Sequence, residues 1–405
     1  MNFELLIARR IIAGKTQAGP VTGPIIKVAI GAVAVGMCVM ILAVCIVTGF
    51  QKEVKNKLIG FSGQIRVEKL DDNASFEKQP MDEAAAAVIR TLPNVHHAQV
   101  FATKAGIIKT DKEIEGIVLK GIGSDFDWSF FDRYMVNGKH FEPGDSVASN
   151  EVVISKHTAD KLRLKCGDNL FVYFIQQPPR ARKLRISGIF DSGMEEMDKT
   201  FLLCDIGHIR KLNDWKKNEV AGIEVYLNNF DQVNQTAQNI NGSIGFDLQA
   251  KTIQELHPQL FDWLGLQDLN AVIIIVLIVI VCAMNMVSAL LILILERIGT
   301  IGILKTLGAS DRSIRIIFTY IALYLTGLGL LLGNVLGLFF CLVQKYLGII
   351  KLDQSSYYLS QVPINFSLEN LTTLNIFTIF TLIFMIVLPT AVITRLNPLR
   401  SVRFK

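Results

Sequence analysis

Compact catalytic signatures are missing from this sequence. It has no HExxH or GxSxG element and no CxxC pair, which excludes the metallohydrolase, serine-hydrolase and thioredoxin or zinc-ribbon classes that depend on them. Gly14-Lys15-Thr16 has the tail of a phosphate-binding P-loop, but arginine stands at position 9, where the first glycine belongs. No strand signal precedes it, so this chain itself is not expected to hydrolyse nucleotide. His96 and His97 are adjacent, without the spacing of a helical metal pair, and suit an ordinary surface or turn position. No metal site is expected.

Charge is also scarce. Charged residues make up 19% of the 405 and hydrophobic ones 51%, more apolar than soluble globular chains usually are. A soluble enzyme is therefore excluded. The net charge of +5 does not imply nucleic acid, because the basic residues flank apolar runs instead of forming one stripe.

Those apolar runs are the dominant feature. They occupy Ile25 to Val47, Ala271 to Leu295, Ile314 to Val343 and Leu371 to Ile393, and each suffices for the roughly 20 helical residues that cross a hydrocarbon core about 30 Å thick. The first is longer than a signal-peptide core and lacks a small-residue cleavage pair, so it is expected to stay as an anchor. Leu42-Ala43-Val44-Cys45 superficially resembles a lipoprotein-processing site, but Val44 is too bulky, and a buried cysteine is the simpler reading. Arg9, Arg10 and Lys15, then Arg297, Lys305, Arg312 and Arg315, then Arg395, Arg400, Arg403 and Lys405 border the runs on alternate sides. The positive-inside rule puts these three groups in the cytoplasm, and the long first loop outside, whatever its own Lys52, Lys55 and Lys57.

The expected fold is membrane α-helical, with four transmembrane helices and a large extracytoplasmic α+β domain between the first and second. Its parts are a cytoplasmic amphipathic N-terminal segment (1–24), helix one (25–49), the outer domain with helical stalks (50–270), helix two (271–295), a cytoplasmic segment (296–313), helix three (314–344), a short outer loop (345–370), helix four (371–394) and a cytoplasmic tail (395–405).

Within the outer domain, period-two alternation at Gln64 to Glu68 predicts a strand, and the alanine-rich stretch from Met81 to Leu92 a helix. Further strands are expected near Ala98–Lys109, Ile114–Gly121, Glu151–Ile154, Leu170–Gln176, Leu184–Phe190, Thr200–Leu203 and Gly222–Leu227, with Pro178 and Pro179 at a turn. Cys166 and Cys204 fall here, where an oxidising compartment permits a bridge that spacing alone does not decide. Phe50, Val54 and Leu58 recur every four residues, so helix one should continue as an amphipathic rod. A capping box at Thr252 to Glu255 starts a second stalk, with Leu256, Leu260 and Leu264 as its stripe and Pro258 as a kink or delay.

On the cytoplasmic side, Ile301, Leu304 and Leu307 can line one face of a short helix that Gly308 ends, with Ser310 capping the next. Such a helix suits docking into a partner's groove, and the same residues also suit a plain interfacial turn. Gly329, Gly333 and Gly337 repeat every four residues, which permits close helix packing, and Asn285 and Asn334 lie deep in spans, where each amide needs a partner.

The run Glu296-Arg297 with Ile301-Gly302-Ile303-Leu304-Lys305-Thr306-Leu307-Gly308-Ala309-Ser310 resembles the coupling segment of FtsX-like, or MacB-type, ABC-transporter permeases. Among these it is most similar to the lipoprotein-releasing (LolC/LolE) permeases. Thr48 to Glu53 with Lys57 to Gly60 is similar to that family's junction after the first span, and Asn397 to Arg403 to its ending.

The resemblance implies an inner-membrane protein with a MacB-like periplasmic core domain at 50–270. Its partners would be a cytoplasmic ABC ATPase, a second permease copy in a homo- or heterodimer, acylated lipoproteins, membrane lipid and a periplasmic carrier, with no nucleic acid. The ATPase would use ATP and magnesium, and this chain would bind no cofactor. Glu296, Arg297, Ile301, Leu304, Lys305, Leu307 and Gly308 would contact the ATPase. Burying acyl chains is worth about 0.8 kcal/mol per CH₂, so exposing several of them to water costs tens of kcal/mol, and the chains must pass between apolar surfaces. A cavity is therefore expected at Met40, Ala43, Val47 and Phe50 on helix one with Trp263, Leu264, Leu266 and Ile273 on helix two. Gln177, Pro178, Pro179 and Arg180 form a short candidate carrier loop. An efflux permease with a periplasmic adaptor, or a non-transporting regulator of an envelope enzyme, are the alternatives.

Overall fold

The computed structural model describes residues 3–12, 22–70, 78–110, 113–144 and 147–392. Lys15, the P-loop-like tail and the basic ending from Arg395 onward lie outside the described residues. The chain begins with α1 (Phe3–Ile12) and α2 (Thr22–Ser62). It continues through β1 (Ile65–Lys69), β2 (Met81–Asp82), α3 (Ala84–Arg90), β3 (Val95–Lys109), β4 (Ile114–Ile122), α4 (Ser129–Arg133), β5 (Met135–Gly138), β6 (Glu151–Ser155), α5 (Lys156–Leu162), β7 (Asn169–Phe174), β8 (Arg180–Phe190), α6 (Glu195–Thr200), β9 (Phe201–Asp205), α7 (Ile206–Leu212), β10 (Glu219–Val220), β11 (Gly222–Leu227), α8 (Val233–Ser243), β12 (Leu248–Thr252) and α9 (Ile253–Leu256). It ends with α10 (Pro258–Glu296), α11 (Ile298–Thr306), α12 (Asp311–Leu347), α13 (Gln354–Tyr357) and α14 (Leu368–Val392).

Two compact units result. One contains Met1–Gln51, Trp263–Ile350 and Val362–Lys405, and the other Lys52–Asp262 and Lys351–Gln361.

The first unit is helical because an apolar run can satisfy its own backbone only as a helix where water is absent. Among the described residues three helices, Gly23–Ser62, Pro258–Glu296 and Asp311–Leu347, are long and apolar enough to cross a membrane. The described apolar part of α14, Leu368–Phe384, is shorter, so three of the four expected spans are supported among the described residues. Val33, Met37 and Ile41 of α2, Met286 and Leu290 of α10, and Phe318, Ile321 and Leu325 of α12 build the core, joined by Ala8 and Ile11 of α1.

In the second unit, ten strands among the described residues form one mixed sheet in the order β12-β1-β11-β3-β4-β9-β6-β8-β5, and β7 pairs with β3 and β8. The pairs β4/β9 and β6/β8 are parallel. The helix expected over Met81–Leu92 is cut to Ala84–Arg90, because Met81 is drawn into the core and pairs with Val220 in a separate two-stranded ladder. α2 runs unbroken to Ser62 and stops at Gly63, whose φ of 73° favours a residue without a Cβ. Its last turns are buried in this unit, Leu58 against Met194 and Ile253, and Phe61 against Phe131 and Phe201. The capping box at Thr252 and Glu255 holds the single turn of α9. His257 then interrupts, and Pro258 takes the first position of α10, where its missing N–H costs nothing.

The segment Lys351–Gln361, expected as part of a short outer loop, belongs to this second unit. The Lys57 ammonium donates to the carbonyls of Ser192 at 2.5 Å and Tyr358 at 2.9 Å, and the Gln354 amide donates to Asp191 at 3.1 Å.

Candidate functional site

The cytoplasmic segment folds as a short clamped helix. α10 stops at Glu296, Arg297 leaves helical geometry with φ −100° and ψ 15°, and α11 ends at Gly308, whose φ is 91°. The Ser310 hydroxyl accepts from the Ser313 N–H at 3.2 Å to open α12. Lys305 pairs with Asp311 at 2.8 Å, tying α11 to that start. Ile301 is 3% exposed and Leu304 packs against the bundle, whereas Ile303 is 59% exposed and Leu307 79%. The expected single face of Ile301, Leu304 and Leu307 is thus divided: the bundle takes the first two, and the open apolar pair is Ile303 and Leu307, one turn apart. Arg297 is buried. Glu296 has both carboxylate oxygens buried without a hydrogen-bond partner among the described residues.

An apolar groove of about 370 Å³ lies between α2 and α10, lined by Ala32, Val35, Gly36 and Val39 with Leu277, Ile278, Val281, Cys282 and Asn285. Its floor is tight, since a Cβ on Gly36 would strike Cys282 Sγ. None of the residues expected to form a cavity lines it. Met40 and Leu264 are buried, Leu266 and Ile273 are exposed, and Ala43, Val47, Phe50 and Trp263 are half-buried. Of that set, Phe50 and Trp263 meet edge to face at 5.5 Å, and the Gln51 amide donates to the Leu264 carbonyl at 3.0 Å. That end of the seam is closed, and the opening lies nearer the cytoplasmic ends of both helices. Asn285 is exposed at the groove, and among the described residues it makes no hydrogen bond across helices.

Opposite the groove, α2 meets α12. Cβ atoms on Gly329 and Gly333 would lie 2.7 Å from Val33 Cβ and 2.6 Å from Met37 Cβ, closer than real side chains approach. Gly333→Val is therefore expected to cost about 1–3 kcal/mol through overpacking, read as a lowered melting temperature in detergent. An unchanged melting temperature would contradict the close contact. Asn334 and Asn375 exchange amide hydrogen bonds of 2.8 and 3.0 Å between α12 and α14.

In the outer domain β7 and β8 form the hairpin whose turn carries Gln177, Pro178 and Pro179, all exposed. Arg180 does not point free. It donates to the carbonyls of Lys211 and Leu212 and forks onto Asp214 at 2.9–3.2 Å, pinning the tip to the end of α7. Cys166 is exposed and donates to the Ser187 carbonyl, while Cys204 is buried in β9, and both are free thiols.

Deeper in this domain lies a charge cluster with no sequence signal. Lys120 donates to the Phe61 carbonyl at 2.6 Å and pairs with Glu224 at 2.7 Å, the two side chains 3% and 0% exposed. Burial pushes the Lys120 ammonium down and Glu224 pulls it back. Asp198 accepts from the Ser192 hydroxyl at 2.5 Å and the Gly193 N–H at 3.1 Å, and burial lifts its carboxyl to about 6. A raised folded value means that the native state keeps a proton the unfolded chain has already lost. Stability should therefore fall as pH rises from about 4 to about 6, by roughly 1–3 kcal/mol. Asp198→Asn should flatten that slope in a pH series of melting curves, and an unchanged slope would remove Asp198 as its cause.

The groove does have a pattern: Ala32, Val35, Gly36 and Val39 sit at i, i+3, i+4 and i+7. A run that is apolar on every face hides it.

Residues 28–242 match the family described as the MacB-like periplasmic core domain, and residues 272–398 the FtsX-like permease C-terminal region. The chain is 21% identical to a lipoprotein-releasing system transmembrane protein LolC of Xylella fastidiosa, covering 92% of each. It is 23% identical to LolC of Neisseria meningitidis over 89% of each, and 22% identical to LolE of Haemophilus influenzae over 84% of this chain and 83% of that one. The solved periplasmic region of MacB from Actinobacillus actinomycetemcomitans covers 52% of this chain and 98% of its own at 13% identity, with a TM-score of 0.36.

Proposed function

The chain belongs to the family that joins a MacB-like periplasmic core domain to an FtsX-like permease region, and from that membership we infer that it extracts lipoproteins from the outer leaflet of the inner membrane. It is an ABC-transporter permease, multi-pass in the inner membrane, with its large domain in the periplasm. The observation that carries the inference of cargo is the alignment with LolC along 92% of both chains.

In this reading α14 is the fourth span, and Ile303 and Leu307 dock into a separate ATPase that uses ATP and magnesium. A second permease copy completes the assembly, and this chain holds no cofactor. The groove between α2 and α10 takes the acyl chains, since a laterally open apolar channel keeps them from water during transfer. The exposed hairpin turn at Gln177 to Pro179 presents the surface for a periplasmic carrier, with Arg180 holding its shape.

Purification in mild detergent, followed by reconstitution with the co-purifying ATPase and a triacylated lipoprotein, tests this. ATP-dependent movement of the lipoprotein to a soluble acceptor is expected. Recovery of an efflux adaptor or a cell-wall hydrolase, with no lipoprotein released, would overturn it in favour of one of the alternatives.

A further inference from the structure

The seam between α2 and α12 ends on two thiols. Val33, Met37 and Ile41 advance along α2 in step with Gly329, Gly333 and Gly337 along α12, and Cβ atoms on the three glycines would lie 2.7, 2.6 and 3.0 Å from their partners' Cβ atoms. One turn further on each helix stand Cys45 and Cys341. Both belong to the same buried core as Ile41. Both are free, and they are 1% and 0% exposed. A disulfide needs Cβ atoms about 3.5–4.5 Å apart. The register that sets Ile41 against Gly337 sets Cys45 against Cys341 one turn on, on helices close enough that the two side chains share one packing layer.

Neither thiol has a part in the groove or in α11. The groove uses Ala32, Val35, Gly36 and Val39 of α2, on the face opposite the ridge that ends at Cys45.

We propose that Cys45 and Cys341 are a dithiol site that closes to an intramolecular disulfide and ties α2 to α12. The electron acceptor is a disulfide compound. One cysteine sulfur attacks it and expels a thiol, the second attacks the mixed disulfide and expels the other, and the two protons leave on the two released thiols. Both cysteines lie toward the outer ends of their helices, the side on which the compartment is oxidising. The consequence, which rests on the function proposed above, is that α2 and α12 move as one body. Any widening of the groove then occurs between α2 and α10.

The test is chemical and independent of transport. Membranes containing the full-length chain are treated with copper-phenanthroline, or with a small membrane-permeant disulfide, then alkylated, digested and mapped by mass spectrometry. A Cys45–Cys341 peptide pair within one chain is expected in the majority of molecules, and Cys45→Ser should abolish it while leaving the detergent melting curve of the untreated protein in place. Recovery of both residues as alkylated thiols, or Cys341 joined to Cys38 or to a second chain, would overturn the proposal.

Discussion

Replacing Lys120 with methionine should destabilise the outer domain by about 3–5 kcal/mol, the usual result of removing one member of a buried ion pair. Glu224 would remain fully enclosed, keeping among the described residues only the Gln99 amide at 3.0 Å and the more distant Arg66 at 3.8 Å. The Phe61 carbonyl, one of the last of α2, would lose the ammonium that satisfies it at 2.6 Å. Hydrogen exchange on peptides from β3, β4 and β11 in the full-length protein would report this as lost protection across all three strands. Lys120→Met with Glu224→Leu should recover much of the loss, since an apolar pair of similar volume leaves no charge uncompensated. If the single variant kept wild-type protection, the pair would not hold the end of α2 to the sheet.

The second large effect belongs to α11. Leu307→Asp and Ile303→Asp each put a carboxylate on the one exposed apolar pair of a helix whose other side is already packed, so neither should disturb the bundle. Removing a central apolar contact from a docking surface typically costs 2 kcal/mol or more, about thirtyfold in affinity. Each variant should therefore lose its ATPase on purification while melting at the wild-type temperature. Leu304→Asp should behave differently. Its side chain packs against the bundle, so the melting temperature itself should fall. Equal ATPase retention by wild type and Leu307→Asp would sink the docking role.

The contrast between Leu304 and Leu307 shows where sequence reading stops. The heptad-like spacing of Ile301, Leu304 and Leu307 correctly marks a helix, yet it does not say which flank meets the bundle, because Ile303 is equally apolar. The acyl cavity fails for a related reason. In a run with no polar face, every turn of α2 and α10 is an equal candidate, and only side-chain size at the crossing decides where the helices part. Phe50 and Trp263 close one end of the seam, while further along the groove is lined by small residues, with Gly36 letting Cys282 come close at its floor. The outer strands were legible at Ala98–Lys109 and Ile114–Gly121 as short apolar runs, although burial on both faces over Ala98–Lys104 and Ile117–Ile122 erases any alternation. Met81 was not, since two residues of ladder carry no period.

The sequence by itself determined the apolar runs, the charge bias beside them, the capping box at Thr252, the glycine stripe on α12 and the likeness at Glu296 to Ser310, because each is written in contiguous residues or at fixed helical spacing. The tertiary structure alone decided that Lys57 reaches the carbonyl of Tyr358, that Lys120 pairs with Glu224, and that the α2–α12 register sets Cys45 against Cys341. These pairings join residues more than a hundred positions apart, and their energies depend on exclusion of water, which no local pattern encodes.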